Sequence, residues 1–290
     1  MKYVGDFLEY LYVVKKHSEH TINNYKIDLI DFLEFNKGNI LDVDKENVNK
    51  YMQYLYDKNV SRATISRRLS SLRSFYNYLY KNSNVKKNYF SNIKNPKKES
   101  SLPKFVKEID IDKMFSIPDT SNPIGQRNLL IIRMLYATGV RVSELVNIKL
   151  SDIDVNERII KILGKGSKER VVVFGNNTKE IFNLYLNNGR YRLDKRDNEY
   201  LFLNKDGERL SDRYVRKIID DIIVKASISM HVSPHMLRHT FATDMLNNGA
   251  DLVSVKDLLG HESLNTTSIY THVSDDKIRE IYNKAHPRAN

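Results

Sequence analysis

Apolar positions along the first third of the chain recur at spacings of three and four, the period of an amphipathic helix. Ile22, Tyr25, Leu29, Phe32 and Leu33 form one stripe, with Thr21 placed to cap it. Ile65, Leu69, Leu72, Phe75, Tyr76 and Leu79 form another behind Ser61, and the spacing predicts a small helical bundle over residues 1–91. From Asn92 the period lapses into NIKNPKKESSLP, rich in Pro, Ser and Lys, which reads as a basic interdomain linker over 92–104.

The helical period resumes over 105–290, through Ile131 and Leu135, and is broken by one β feature. RIIKIL (158–163) and ERVVVF (169–174) are β-rich runs joined by Gly164-Lys165-Gly166-Ser167-Lys168, a hairpin with Lys165 at its tip. Ser233 before Pro234 and Asn248-Gly249 bracket a helix over 234–247. Ser274-Asp275-Asp276 reads as the cap of a short amphipathic tail helix over 275–290, with Ile278, Ile281 and Ala285 on its apolar face. The expected fold class is mainly α, a helical bundle followed by a mixed, mostly helical domain with a small β-sheet.

Charge then narrows the choice of partner. Lys and Arg number 47 against 36 Asp and Glu, a net charge of +11 over 290 residues, which favours a polyanion such as nucleic acid over an acidic protein or a neutral metabolite. The first 100 residues carry 18 basic and 11 acidic side chains. No Asp or Glu interrupts the run from Lys58 to Lys98, which makes Arg62, Arg67, Arg68, Arg73, Lys97 and Lys98 candidate DNA contacts. Opposite the apolar stripe behind Ser61, Arg67 is placed to reach phosphates outward. With no cysteine, disulfides, zinc ribbons and thiol nucleophiles are excluded. Asp6 and Glu9 break the first apolar run and Arg133 the longest one, so a soluble, intracellular protein without membrane insertion is expected.

His235 and Arg238 lie three apart near the start of the 234–247 helix, where the dipole favours an anion. Alone, the pair fits an ordinary packing helix as well as a phosphate site. His235 and His239 at i, i+4 lack a carboxylate set that would complete a metal site. In order along the chain stand Ala137-Thr138-Gly139-Val140-Arg141-Val142-Ser143-Glu144-Leu145, Gly164-Lys165-Gly166, His235-Met236-Leu237-Arg238-His239-Thr240, Leu258-Leu259-Gly260-His261 and Tyr270. This ensemble resembles the active-site series of the tyrosine recombinases of the phage integrase family, most closely the Xer branch. The resemblance covers nearly the whole chain: the amino-terminal helices resemble the core-binding (SAM-like) domain, and His286-Pro287-Arg288-Ala289 resembles the Xer tail.

The resemblance implies a role for each residue. Arg141 and Arg238 would clamp the non-bridging oxygens of the scissile phosphate and Tyr270 would attack it. Lys165 would protonate the leaving 5′ oxygen, His235 would assist proton transfer at the nucleophile, His261 would hydrogen-bond a phosphate oxygen, and Glu144 would be a supporting acid. Two guanidiniums can stabilise the developing charge without Mg²⁺, so neither metal nor cofactor is expected. A phenol of pKa about 10 is ionised to only about one part in a thousand at pH 7, so neighbouring cations and a base must activate it.

The implied activity is site-specific cutting and rejoining of DNA through a 3′-phosphotyrosyl intermediate, with chromosome dimer resolution as the task. The alternatives are an integrase or transposon recombinase, a type IB topoisomerase-like relaxing enzyme, and a catalytically idle DNA-binding protein. Implied partners are duplex recombination sites, further subunits in a homo- or hetero-tetramer joined by exchanged tails, and a cell-division DNA translocase. The implied location is cytoplasmic and DNA-associated.

Overall fold

The computed structural model describes residues 1–82, 84–96, 105–164, 169–260 and 275–289, and the chain divides into two compact units, Met1–Leu102 and Pro103–Asn290. Among the described residues no helix is long and apolar enough to cross a membrane.

Four helices build the amino-terminal unit: α1 (Lys2–Val13), α2 (Glu19–Phe35), α3 (Lys45–Asp57) and α4 (Arg62–Lys81). Helix α4 starts where its cap predicts, with Ser61 Oγ accepting the Thr64 N–H. All six apolar positions of its stripe are buried, against Phe7, Leu11, Phe32, Tyr51 and Phe90. Helix α2 begins earlier than the sequence suggests. Ser18 accepts the Thr21 N–H, and Thr21 sits inside the helix with its hydroxyl 2.9 Å from that of Ser18.

The carboxy-terminal unit is organised around α6 (Pro123–Thr138), whose residues from Leu129 are buried almost without a break. Asn122 caps it with Pro123 in the first turn, and Gly139 ends it in the left-handed region at φ 60°. Helix α5 (Glu108–Ser116) precedes it and the short α7 (Val142–Leu145) follows. The hairpin forms from β2 (Ile159–Leu163) and β3 (Glu169–Val173), paired antiparallel with Leu163 opposite Glu169. A third strand that the sequence does not announce, β1 (Ile153–Asp154), pairs with β2. Then come α8 (Asn176–Leu184), a wider π-type segment (Tyr185–Arg190), α9 (Tyr191–Leu193) and α10 (Asp212–Lys225). Helix α11 spans Pro234–Asn247 with Ser233 accepting the Met236 N–H, the bounds its flanking residues predict. Helix α12 (Leu252–Leu259) is capped by Asp251 and closed by Gly260 at φ 63°.

The last helix, α13, runs Asp275–Ala285 and stops before His286-Pro287 instead of continuing to 290. A residue preceding proline is disfavoured in the helical region. The tail docks on its own unit: Tyr282, Ala285 and Ala289 are buried with Val173, Phe241, Met245, Val255, Leu258 and Leu259. His286 is buried too, stacked on Tyr282 at 4.7 Å, with Nδ1 accepting the Arg288 N–H. Burial pushes its ring down to about 3, with Arg288 adding to the shift. Below the ordinary value of 6.5 the unfolded chain binds a proton that the buried ring refuses until about pH 3, so stability falls as pH drops through that window. Moving from pH 8 to pH 5 should cost about 2 kcal/mol through this residue. His286→Gln should remove that part of the pH dependence in thermal melts.

Candidate active site

Arg141 emerges from the turn at Gly139 and heads α7. Its backbone N–H donates to Glu144 Oε2 at 2.8 Å, and its Nη1 donates to Oε1 at 2.9 Å. The carboxylate therefore holds the residue at both ends while 42% of the side chain stays exposed. Arg141 lines an open cleft of about 780 Å³ together with Ser143, Glu144, Lys149, Lys161, Gly164 and Tyr200.

Arg238 is placed differently from the half-exposed residue that an ordinary packing helix would offer. It is buried, although the adjacent Leu237, Phe241 and Met245 ridge is where the helical spacing puts it. Nη1 donates to Gly139 O at 2.6 Å and Nη2 to Leu259 O at 2.5 Å, so the guanidinium bridges the ends of α6 and α12. Gly139 permits this closeness: a Cβ there would lie 2.6 Å from Phe241 Cδ1 and 2.8 Å from Leu259 Cδ2. Burial, then repulsion from Arg141 and Arg170, pushes the guanidinium down to about 10, still cationic at pH 7. A desolvated cation beside like charges is a strong attractor for an anion that can reach it.

Arg170 on β3 is the member that sequence reading missed. Its Nη1 and Nη2 donate to Glu144 Oε1 and Oε2 at 3.0 and 2.7 Å, and its Nε donates to Leu258 O at 3.1 Å. Burial alone would raise the Glu144 carboxyl, but the Arg170 hydrogen bond and charge and the two Arg141 contacts outweigh it, holding the acid below the usual carboxylate value. The final turn of α12 leaves carbonyls without intrahelical partners. Two of them and the cap's are answered by three arginines: Leu258 O by Arg170, Leu259 O by Arg238, and Gly260 O by Arg141 Nη2 at 3.5 Å.

His235 is exposed on the first turn of α11, three residues before Arg238. Lys165, His261 and Tyr270 lie outside the described residues, as do Lys97 and Lys98. Gly164, which precedes Lys165, lines the cleft, and Gly260, which precedes His261, carries the Arg141 contact.

The arginines of the basic run are not simply displayed to solvent. Arg67 Nη1 pairs with buried Asp28 at 2.7 Å, and Ser71 Oγ donates to the same oxygen at 2.7 Å. Arg68 pairs with Asp31 at 2.5 Å, and Tyr51 Oη donates to that carboxylate at 2.7 Å. Arg73 donates to Phe90 O, Ile93 O and Asn95 Oδ1. The acids come from α2, about 40 residues away, so a charge run free of acids in sequence is not free of them in space. Arg67 keeps 43% of its side chain exposed and Arg68 only 16%, while Arg62 is exposed in the first turn of α4. Arg68→Ala should therefore cost about 1–3 kcal/mol in urea unfolding. The slope of log K against log salt for DNA binding should stay unchanged; a drop of about 0.9 would return Arg68 to the DNA surface.

Residues 104–277 match the phage integrase family, and residues 4–83 match the N-terminal SAM-like domain of phage integrases. Tyrosine recombinase XerC of Oceanobacillus iheyensis is 43% identical over 295 residues, covering 99% of this chain and 97% of the relative. The XerC of Bacillus subtilis is 39% identical over 294 residues, again with 99% and 97% covered. Among solved structures, the XerH site-specific recombinase bound to palindromic difH substrate in a post-cleavage complex matches at TM-score 0.70 and 28% identity, covering 90% of this chain and 79% of that one. With a family match across more than half its length and relatives of this identity end to end, the chain belongs to the phage integrase family and is a tyrosine site-specific recombinase.

Proposed function

We propose that the chain exchanges strands between two DNA sites through a 3′ phosphotyrosyl link on Tyr270, in the service of chromosome dimer resolution. The observation that supports the residue roles is the convergence of Arg170 and Arg238 on the last two carbonyls of α12, and of Arg141 on that of its cap Gly260, which precedes His261. Tyr270 Oη attacks phosphorus as His235 takes its proton. The P–O5′ bond breaks and Lys165 delivers a proton to the departing oxygen. Arg141 and Arg238, with a hydrogen bond from His261, stabilise the charge on the non-bridging oxygens. Attack by the 5′ hydroxyl of a second strand reverses these steps, and because a phosphodiester is exchanged for a phosphodiester no ATP is consumed.

Duplex recombination sites are the substrate, bound by the carboxy-terminal unit together with the basic amino-terminal unit. A tetramer of like or paired subunits would carry out the exchange, with α13 passing from its own unit to a neighbour, and a cell-division DNA translocase would license it. The chromosomal role rests on end-to-end similarity to the XerC proteins, with an integrase of a mobile element as the second reading.

The test uses supercoiled plasmids with one or two copies of the bound site, in EDTA. Two-site plasmids should yield deletion or inversion products. Efficient relaxation of one-site plasmids without recombination of two-site plasmids would favour a topoisomerase, and a requirement for a divalent ion in cleavage would contradict the mechanism.

A further inference from the structure

We infer that Arg170 is a positioning residue for strand cleavage, acting through Glu144 on the Arg141 guanidinium and through Leu258 on the end of α12. The inference rests on the reading of Arg141 as a phosphate clamp. Arg170 is committed to protein acceptors: each of its three nitrogens, Nε, Nη1 and Nη2, donates to Leu258 O or to Glu144.

Charge arithmetic shows why the site needs it. Glu144, 6% exposed, is a buried carboxylate that must have a counter-ion. With Arg170 beside it, that charge is neutralised from β3, and Arg141 holds its geometry while keeping its own charge for the substrate. Without the two-pronged Arg170 contact, which a lysine ammonium cannot supply, Glu144 draws more heavily on Arg141, whose placement and charge are then turned from the substrate.

Geometry adds a second demand. One guanidinium joins two carboxylate oxygens and a carbonyl from a different helix, three donations in one plane that an ammonium cannot reproduce. The helix end it holds is the one that Arg238 and Arg141 also grip, at neighbouring carbonyls. Gly260 packs against it, since a Cβ there would come within 3.2 Å of Arg170 Cδ and Nη1.

A buried ion pair can also be purely structural, so the test separates the two roles. Arg170→Lys and Arg141→Lys are compared with the unaltered protein in single-turnover cleavage of a nicked duplex. One substrate carries the ordinary scissile phosphate and the other a methylphosphonate there, which lacks the negative charge that Arg141 offsets. Arg170→Lys should bind DNA within about threefold of normal and cleave the phosphate about 10²-fold more slowly, yet lose less than about tenfold on the methylphosphonate. Arg141→Lys should show the same asymmetry. The ratio of the two rates within one preparation does not depend on the fraction folded, so lost stability cannot imitate the result. An Arg170→Lys defect equal on both substrates, while Arg141→Lys still distinguishes them, would make Arg170 structural only and overturn the inference, as would a normal cleavage rate. If Arg141→Lys fails to distinguish them, the clamp reading falls and the inference with it.

Discussion

Replacing Arg238 with lysine is expected to slow strand cleavage by about 10³-fold while leaving DNA affinity within about tenfold. Arg238 donates through two nitrogens to carbonyls at the ends of α6 and α12, and this bridging holds the guanidinium in place before DNA arrives. A lysine at this buried position loses the fork, leaves at least one of the two carbonyls unanswered, and tends to shed its proton because an ammonium is desolvated less easily. Removing one preorganised donor from a developing oxyanion costs about 10²–10³ in rate, and here positioning is lost as well. Single-turnover cleavage of a nicked duplex, with affinity measured in parallel, checks this. A rate within tenfold of normal would remove Arg238 from the clamp and leave it a structural brace between α6 and α12.

Features set by neighbouring residues are legible in the amino-acid sequence. The bounds of α11 follow from Ser233, Pro234 and the Asn248-Gly249 stop, all within one turn of the ends they mark. The pairing of β2 and β3 follows from two β-rich runs separated by a short glycine-bearing stretch of sequence. The start of α2 is ambiguous because Ser18 and Thr21, two hydroxyls three residues apart, can each cap a helix, and the earlier one does. Long-range pairing escapes for a different reason. Arg67 and Arg68 meet Asp28 and Asp31 on another helix, a relation that neither periodicity nor a local charge run encodes.

Arg170 stands inside ERVVVF, a run whose β character conceals a largely enclosed, ion-paired charge. A charged residue followed by three valines on a strand beside a buried sheet face is the signal that could have found it, since such a side chain requires a buried partner. Its partners, Glu144 and Leu258, lie 26 and 88 residues away. Tyr282 is likewise absent from the apolar face that spacing assigns to the tail, yet it is among the most deeply buried tyrosines described.

The largest effect is expected at Tyr270, the one phenol proposed to carry the broken strand. A suicide duplex, nicked close to the scissile phosphate so that the freed fragment diffuses away, converts cleavage into a stable adduct on a denaturing gel. Tyr270 follows His261 by nine residues and completes the motif order that the family resemblance rests on. On the proposed mechanism the Phe variant loses the attacking oxygen while the arginine contacts at Gly139 O, Leu259 O and Glu144 are left in place. Tyr270→Phe should bind the duplex with unchanged affinity and form no detectable 3′ phosphotyrosyl adduct, while the unaltered protein accumulates it in the presence of EDTA. An adduct of normal yield with the Phe variant would contradict the account.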